Sequence, residues 1–99
     1  MPNSELNVKP KIDLVEPPLF KIIYMNDDVT TMEFVVETLV EYFNYNSDTA
    51  AGITRDIHDK GSAVVAVLPY EIAEQRGIEV TLDARSRGYP LQIKVEAER

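Results

Sequence analysis

The stretch Tyr24-Met25-Asn26-Asp27-Asp28-Val29-Thr30-Thr31-Met32-Glu33-Phe34-Val35-Val36-Glu37-Thr38-Leu39-Val40-Glu41-Tyr42-Phe43 decides the fold of this chain. It joins an apolar strand, Phe20 to Met25, to a strongly periodic helix through a short acidic turn. Thr30 followed by Glu33 has the spacing of a capping box, so the helix is expected to start at Thr31. Met32, Val35, Val36, Leu39, Val40 and Phe43 then recur every three or four residues, the period of one buried helical face. Asn26, Asp27 and Asp28 are thereby set between a strand end and a helix start, with their acceptors close to the apolar Met32. Any account of function has to explain that pairing.

Upstream, residues 1–18 hold Pro2, Pro10, Pro17 and Pro18 among mixed charges, fit no period, and read as a flexible arm before a core domain over 19–97. Downstream, Asn44 to Asn46 break the helix, and Ser47 is the expected N-cap of a second one with Asp48 in its first turn. Ala50, Ile53, Thr54 and Ile57 form its inner stripe, His58 lies alongside, and Gly61 ends it. Ala63 to Leu68 is a β-branched apolar run of strand length. Pro69 opens a third helix of about five turns, with Ile72, Ala73, Val80 and Ala84 near one face and Gly88 as its stop. Leu91, Ile93 and Val95 alternate with Gln92, Lys94 and Glu96, the pattern of a half-buried strand. The order β-α-α-β-α-β predicts an α+β fold, a small, mainly antiparallel three-stranded sheet covered by three helices.

Composition narrows the function classes. The 99 residues are 44% hydrophobic and 27% charged, as in one soluble globular domain. There is no cysteine, so thiolate chemistry and disulfides are excluded. No apolar run reaches the length of a membrane span, and the N-terminus lacks the basic-then-apolar order of a secretory signal, so a cytoplasmic location and no membrane association are expected. The net charge of −7, with scattered Lys and Arg, argues against nucleic acid and for cationic ligands or basic partner surfaces.

Asp27, Asp28 and His58 are the residues a catalytic reading would use, as a metal-dependent hydrolase. Metal sites usually draw three or four ligands at defined spacing, and no such spacing, nucleophile motif or phosphate loop is present. Asn and Asp also favour turns for a purely structural reason, bonding their own backbone. No enzymatic activity and no cofactor are therefore expected. A plain protein-interaction domain, similar in element order to the C-terminal domain of the ribosomal stalk protein, is the other reading the residues leave open.

Lys21-Ile22-Ile23-Tyr24-Met25-Asn26-Asp27-Asp28, then Thr30, then Met32-Glu33-Phe34-Val35-Val36, closely resembles the signature of the ClpS family. So do His58 with Gly61, Pro69-Tyr70-Glu71-Ile72-Ala73-Glu74, and Pro90-Leu91; the similarity runs from Pro17 to Glu96. The resemblance implies an adaptor that binds proteins bearing a bulky hydrophobic N-terminal residue (an N-degron beginning with Phe, Tyr, Trp or Leu) and delivers them to a Clp AAA+ unfoldase–protease. It implies that Asn26, Asp27 and His58 hold the substrate's α-amino group. It likewise implies a side-chain pocket of Asp28, Thr30, Met32, Val35, Thr54, Ile57 and Leu91, with Met32 as a gate against branched Val and Ile. Glu71 and Arg76 match positions that contact the N-terminal domain of a ClpA-like or ClpC-like unfoldase, and the arm matches an extension needed to hand substrate over. A monomer is expected. Thr54 stands where relatives usually carry a larger apolar residue, which is expected to widen or wet the pocket floor.

Overall fold

The computed structural model describes residues 17–98, so the arm expected over 1–18 lies outside them except for Pro17 and Pro18. The chain runs β1 (Leu19–Met25), α1 (Met32–Phe43), α2 (Ser47–Lys60), β2 (Ser62–Pro69), α3 (Tyr70–Ser86) and β3 (Gln92–Ala97), the expected order. All pairing is antiparallel and the sheet order is β2-β1-β3, which makes β1 the central strand. Ile22 and Tyr24 of β1 are fully buried, and the residues between them less so, as a period of two requires. Their face carries the helices. Phe20 meets Tyr70 at the start of α3 with ring centroids 4.9 Å apart, and Tyr24 meets Phe43 at the end of α1 at 6.3 Å.

The β1–β2 register shifts between Ile22, opposite Ala66, and Ile23, opposite Val64. Val65 is the extra residue of this bulge. Its side chain is buried, and its carbonyl accepts the Tyr45 hydroxyl at 2.6 Å.

Helix ends differ from the sequence expectation by one residue. Thr31, not Thr30, caps α1, its hydroxyl accepting the Phe34 N–H at 3.1 Å. Thr30 belongs instead to the preceding turn, its N–H and its hydroxyl both donating to Asp27. Asn46, not Ser47, caps α2, its amide oxygen accepting the Thr49 N–H at 2.8 Å. Asn44, at φ 62, ends α1 in the left-handed region that Asn tolerates.

The buried face of α1 is rotated from the apolar stripe. Phe34, Val35, Thr38 and Leu39 are buried, whereas Met32 is 39% exposed and Val40 is also exposed. Thr38 earns its place by hydrogen bonding: its hydroxyl donates to the Val35 carbonyl at 2.8 Å and accepts from the Tyr24 hydroxyl at 2.7 Å. Burying Thr38 in this way releases Met32 to the surface. On α3, Ala73, Gly77, Val80 and Ala84 face inward, and Ile72 is exposed rather than part of the stripe. Gly77 takes part because the sheet is close; a Cβ there would lie 3.5 Å from Val95 Cγ2 and 3.7 Å from Ile93 Cγ2.

Candidate functional site

β1 ends at Met25, and the N–H of Asn26 donates to the Gly61 carbonyl at 2.9 Å. Gly61 is the C-cap of α2, at φ 89, with its own N–H on the Ile57 carbonyl. A non-glycine residue would be strained there. This clasp joins the end of β1 to the end of α2, so Asn26 and His58, distant in sequence, line one cavity.

Asp27 organises the turn. Its Oδ1 accepts the N–H groups of Val29 at 2.8 Å and Thr30 at 2.7 Å, and its Oδ2 accepts the Thr30 hydroxyl at 2.8 Å. Burial alone would raise the carboxyl's pKa; the bonds from Thr30 and Val29, with the Arg85 charge, outweigh it and hold it below the ordinary carboxylate value. A carboxylate has about four lone-pair sites. Three are taken within the turn, which leaves Oδ2 one acceptor for a ligand. Among the described residues, neither the Asn26 carboxamide nor the His58 ring has a hydrogen-bond partner, so the cavity offers further polar atoms to a guest.

The cavity measures about 20 Å³ and is lined by Met25, Asn26, Asp27, Thr30, Met32, Val35, Thr54, Ile57, His58 and Leu91. Every side-chain position expected from the sequence is therefore brought together except Asp28, which is exposed on the turn and outside the lining. The volume is about that of one water. A larger side chain enters only if a wall moves, and Met32 is the exposed apolar wall. Met32 and Thr54 also line a neighbouring cleft of about 470 Å³ between α1 and α2, so turning Met32 aside would connect the two spaces.

Thr54 departs from the expectation of a wetter floor. It is buried, and its hydroxyl donates to the Ala50 carbonyl at 2.8 Å, which satisfies the one donor it has. The Thr54 hydroxyl is thus turned onto its own helix, with its donor taken by Ala50.

Two contributors escaped the sequence reading. Met25 lines the cavity from the last position of β1. Arg85 donates to the carbonyls of Tyr89 at 2.9 Å and Leu91 at 2.8 Å, fixing the segment that carries Leu91 to the cavity while its charge acts on Asp27. The only local signal for Arg85 was a cation in the last turn of a helix, which is common for reasons unrelated to a site.

Glu71 and Arg76 lie elsewhere, on α3. Glu71 is exposed in the first turn, and Arg76 Nη1 pairs with Glu79 Oε1 at 3.3 Å. Among the described residues, no three Asp, Glu or His side chains gather closely enough to hold a metal ion. No described helix is long and apolar enough to cross a membrane.

Known proteins share this architecture. Residues 15–94 match the family described as "ATP-dependent Clp protease adaptor protein ClpS". The chain is 40% identical over 92 residues to the Clp protease adapter protein ClpS of Wolinella succinogenes, covering 93% of this chain and 90% of the relative. It is 42% identical over 87 residues to that of Clostridium acetobutylicum, covering 88% and 86%. The solved structure of Agrobacterium tumefaciens ClpS2 bound to L-phenylalaninamide superposes with a TM-score of 0.81 at 37% identity, covering 84% of this chain and all of that one. With its sequence and fold matching these relatives over most of its length, this chain belongs to the ClpS family, the adaptor proteins of the ATP-dependent Clp protease.

Proposed function

We propose that the chain binds the free amino terminus of proteins whose first residue is Phe, Tyr, Trp or Leu and delivers them to a Clp AAA+ unfoldase. One observation carries the reading: Asn26, Asp27 and His58 line the same cavity as Met32, Val35, Thr54, Ile57 and Leu91. An α-ammonium brings one positive charge and three N–H donors. The free acceptor on Asp27 Oδ2, the Asn26 amide oxygen and an unprotonated His58 nitrogen match those donors, and the apolar lining suits the side chain that follows. The Agrobacterium neighbour's ligand, L-phenylalaninamide, has both features, an α-amino group and an apolar ring.

Side-chain entry is proposed to go by displacement of Met32, the exposed apolar wall of the cavity. Thr30 then serves the turn through Asp27 rather than touching the guest's side chain. Delivery is assigned to α3 and the arm: Glu71 and Arg76 are the proposed contacts for the N-terminal domain of a ClpA-like or ClpC-like partner. Removal of residues 1–18 should keep peptide affinity and abolish accelerated degradation.

The deciding experiment uses two fluorescent peptides that begin with Phe, one free and one acetylated. Acetylation removes the charge and all but one donor. At about 1.5–3 kcal/mol per charge-assisted bond, even one lost bond weakens binding by roughly tenfold to a hundredfold. Equal binding of the two peptides would overturn the proposal.

A further inference from the structure

The cleft of about 470 Å³ between α1 and α2 adjoins the small cavity at one end only. Met32 and Thr54 line both spaces, whereas Asn26, Asp27 and His58 line the cavity alone. The cleft is therefore reached from the end of the cavity suited to a side chain, not from the end suited to an amino group. The partition between the two spaces is thin. Met32 is half-exposed, and Thr54 has only two heavy atoms beyond Cβ, one of them the hydroxyl that donates to the Ala50 carbonyl at 2.8 Å.

Beyond the partition the chemistry changes. Val36 and Ala51 give the cleft apolar surface from both helices, and Glu33 and Arg55 add one charge of each sign. Glu33 and Arg55 are exposed, and among the described residues neither takes part in an ion pair. Glu37, the other acid on the cleft, is held by Arg87 at 3.2 Å. A guest that suits this space is apolar over most of its surface, offers a face to a cation and carries a donor for an acid.

Given the amino-terminal binding proposed above, we infer that the preferred first residue is Trp, and that the cleft receives the far ring of its indole once Met32 turns aside. Of the four side chains proposed for the cavity, indole is the largest, and its face attracts a guanidinium most strongly, which suits Arg55. A buried Trp N–H needs an acceptor, and the Glu33 carboxylate supplies one. Phe and Leu carry no donor, Leu has no aromatic face, and Tyr has a donor on a smaller ring. Thr54 thus determines specificity by its shortness: a longer side chain there would fill the passage from cavity to cleft.

The test uses peptides that differ only in a first residue of Trp, Phe or Leu, each with the same dye at its C-terminus, and reads their binding to the full chain by fluorescence anisotropy. Trp is expected to bind about threefold to tenfold more tightly than Phe, with Leu the weakest. T54M should reverse the order of Trp and Phe, because methionine closes the passage. R55M removes the charge from an exposed position, which spares the fold, and should lower the Trp-to-Phe ratio about twofold to fivefold. Where T54M fails to fold, R55M decides. Phe bound as tightly as Trp by the unaltered chain overturns the inference and leaves amino-terminal binding standing, and so does a ratio that either folded variant leaves unchanged. Failure of all three peptides to bind overturns amino-terminal binding itself, and the preference for Trp with it.

Discussion

The turn from Asn26 to Thr31 and the outer edge of β3 treat their backbone groups in opposite ways. In the turn, the N–H groups of Val29 and Thr30 are taken by the Asp27 carboxylate, and the cavity beside them measures about 20 Å³. Along β3, three residues direct their N–H and C=O groups away from the sheet, beside an open apolar groove of about 240 Å³. A turn whose backbone donors are bonded from within holds its few remaining acceptors in fixed positions. An open edge presents a repeating row that only another extended backbone can match. The acceptor-bearing cavity and the open strand edge thus lie in different parts of one small domain.

The largest effect should come from breaking the turn. Asp27→Ala removes three internal hydrogen bonds and the carboxylate, so affinity for a Phe-initiated peptide should fall by roughly tenfold to a hundredfold. Fluorescence anisotropy reads this directly, and unchanged affinity would detach Asp27 from the ligand. Next in size is Met32→Ala, which removes the exposed wall and should admit peptides beginning with Val or Ile, improving their binding by about tenfold or less. Continued exclusion of those peptides would show that a different group forms the gate.

Arg85→Met sharpens the comparison at the turn. It deletes two bonds to the segment carrying Leu91, and a few-fold loss of peptide affinity is expected. It also removes a positive charge that helps hold the Asp27 carboxyl below its ordinary value, so Asp27 should titrate at higher pH in the variant. The sign for stability follows from the same depression: the turn's contribution is full above the unfolded value of 3.8 and is lost as pH falls through the lower folded value. Carbon-detected NMR of the Asp27 carboxyl tests both statements. The smallest effect belongs to the edge side. Gly77→Ala adds a Cβ at ordinary contact distance from Val95 and Ile93, and should stabilise the fold by about 0.4–1 kcal/mol, raising the melting temperature by a few degrees.

The candidate site is largely legible in the sequence, for a specific reason. Asn26, Asp27, Thr30 and Met32 are contiguous, and His58 and Gly61 are one helical turn apart at the end of α2, so their identities form recognisable strings. Asp28 shares that string yet lies outside the cavity, because only its neighbour Asp27 folds back onto the turn. Arg85 and Met25 were missed because each acts through residues distant in sequence or through an ordinary strand position.

By itself, the sequence determined the order of elements and most of their limits, since apolar period, caps and turn residues act over a few neighbours. Tertiary structure decided which apolar residues were released. Thr38 is buried in place of Met32 and Val40 because Tyr24, on another element, provides the donor that makes a buried hydroxyl tolerable. It also decided that β1 is central and β3 an edge, because strand neighbours are chosen by long-range backbone pairing that no local pattern encodes.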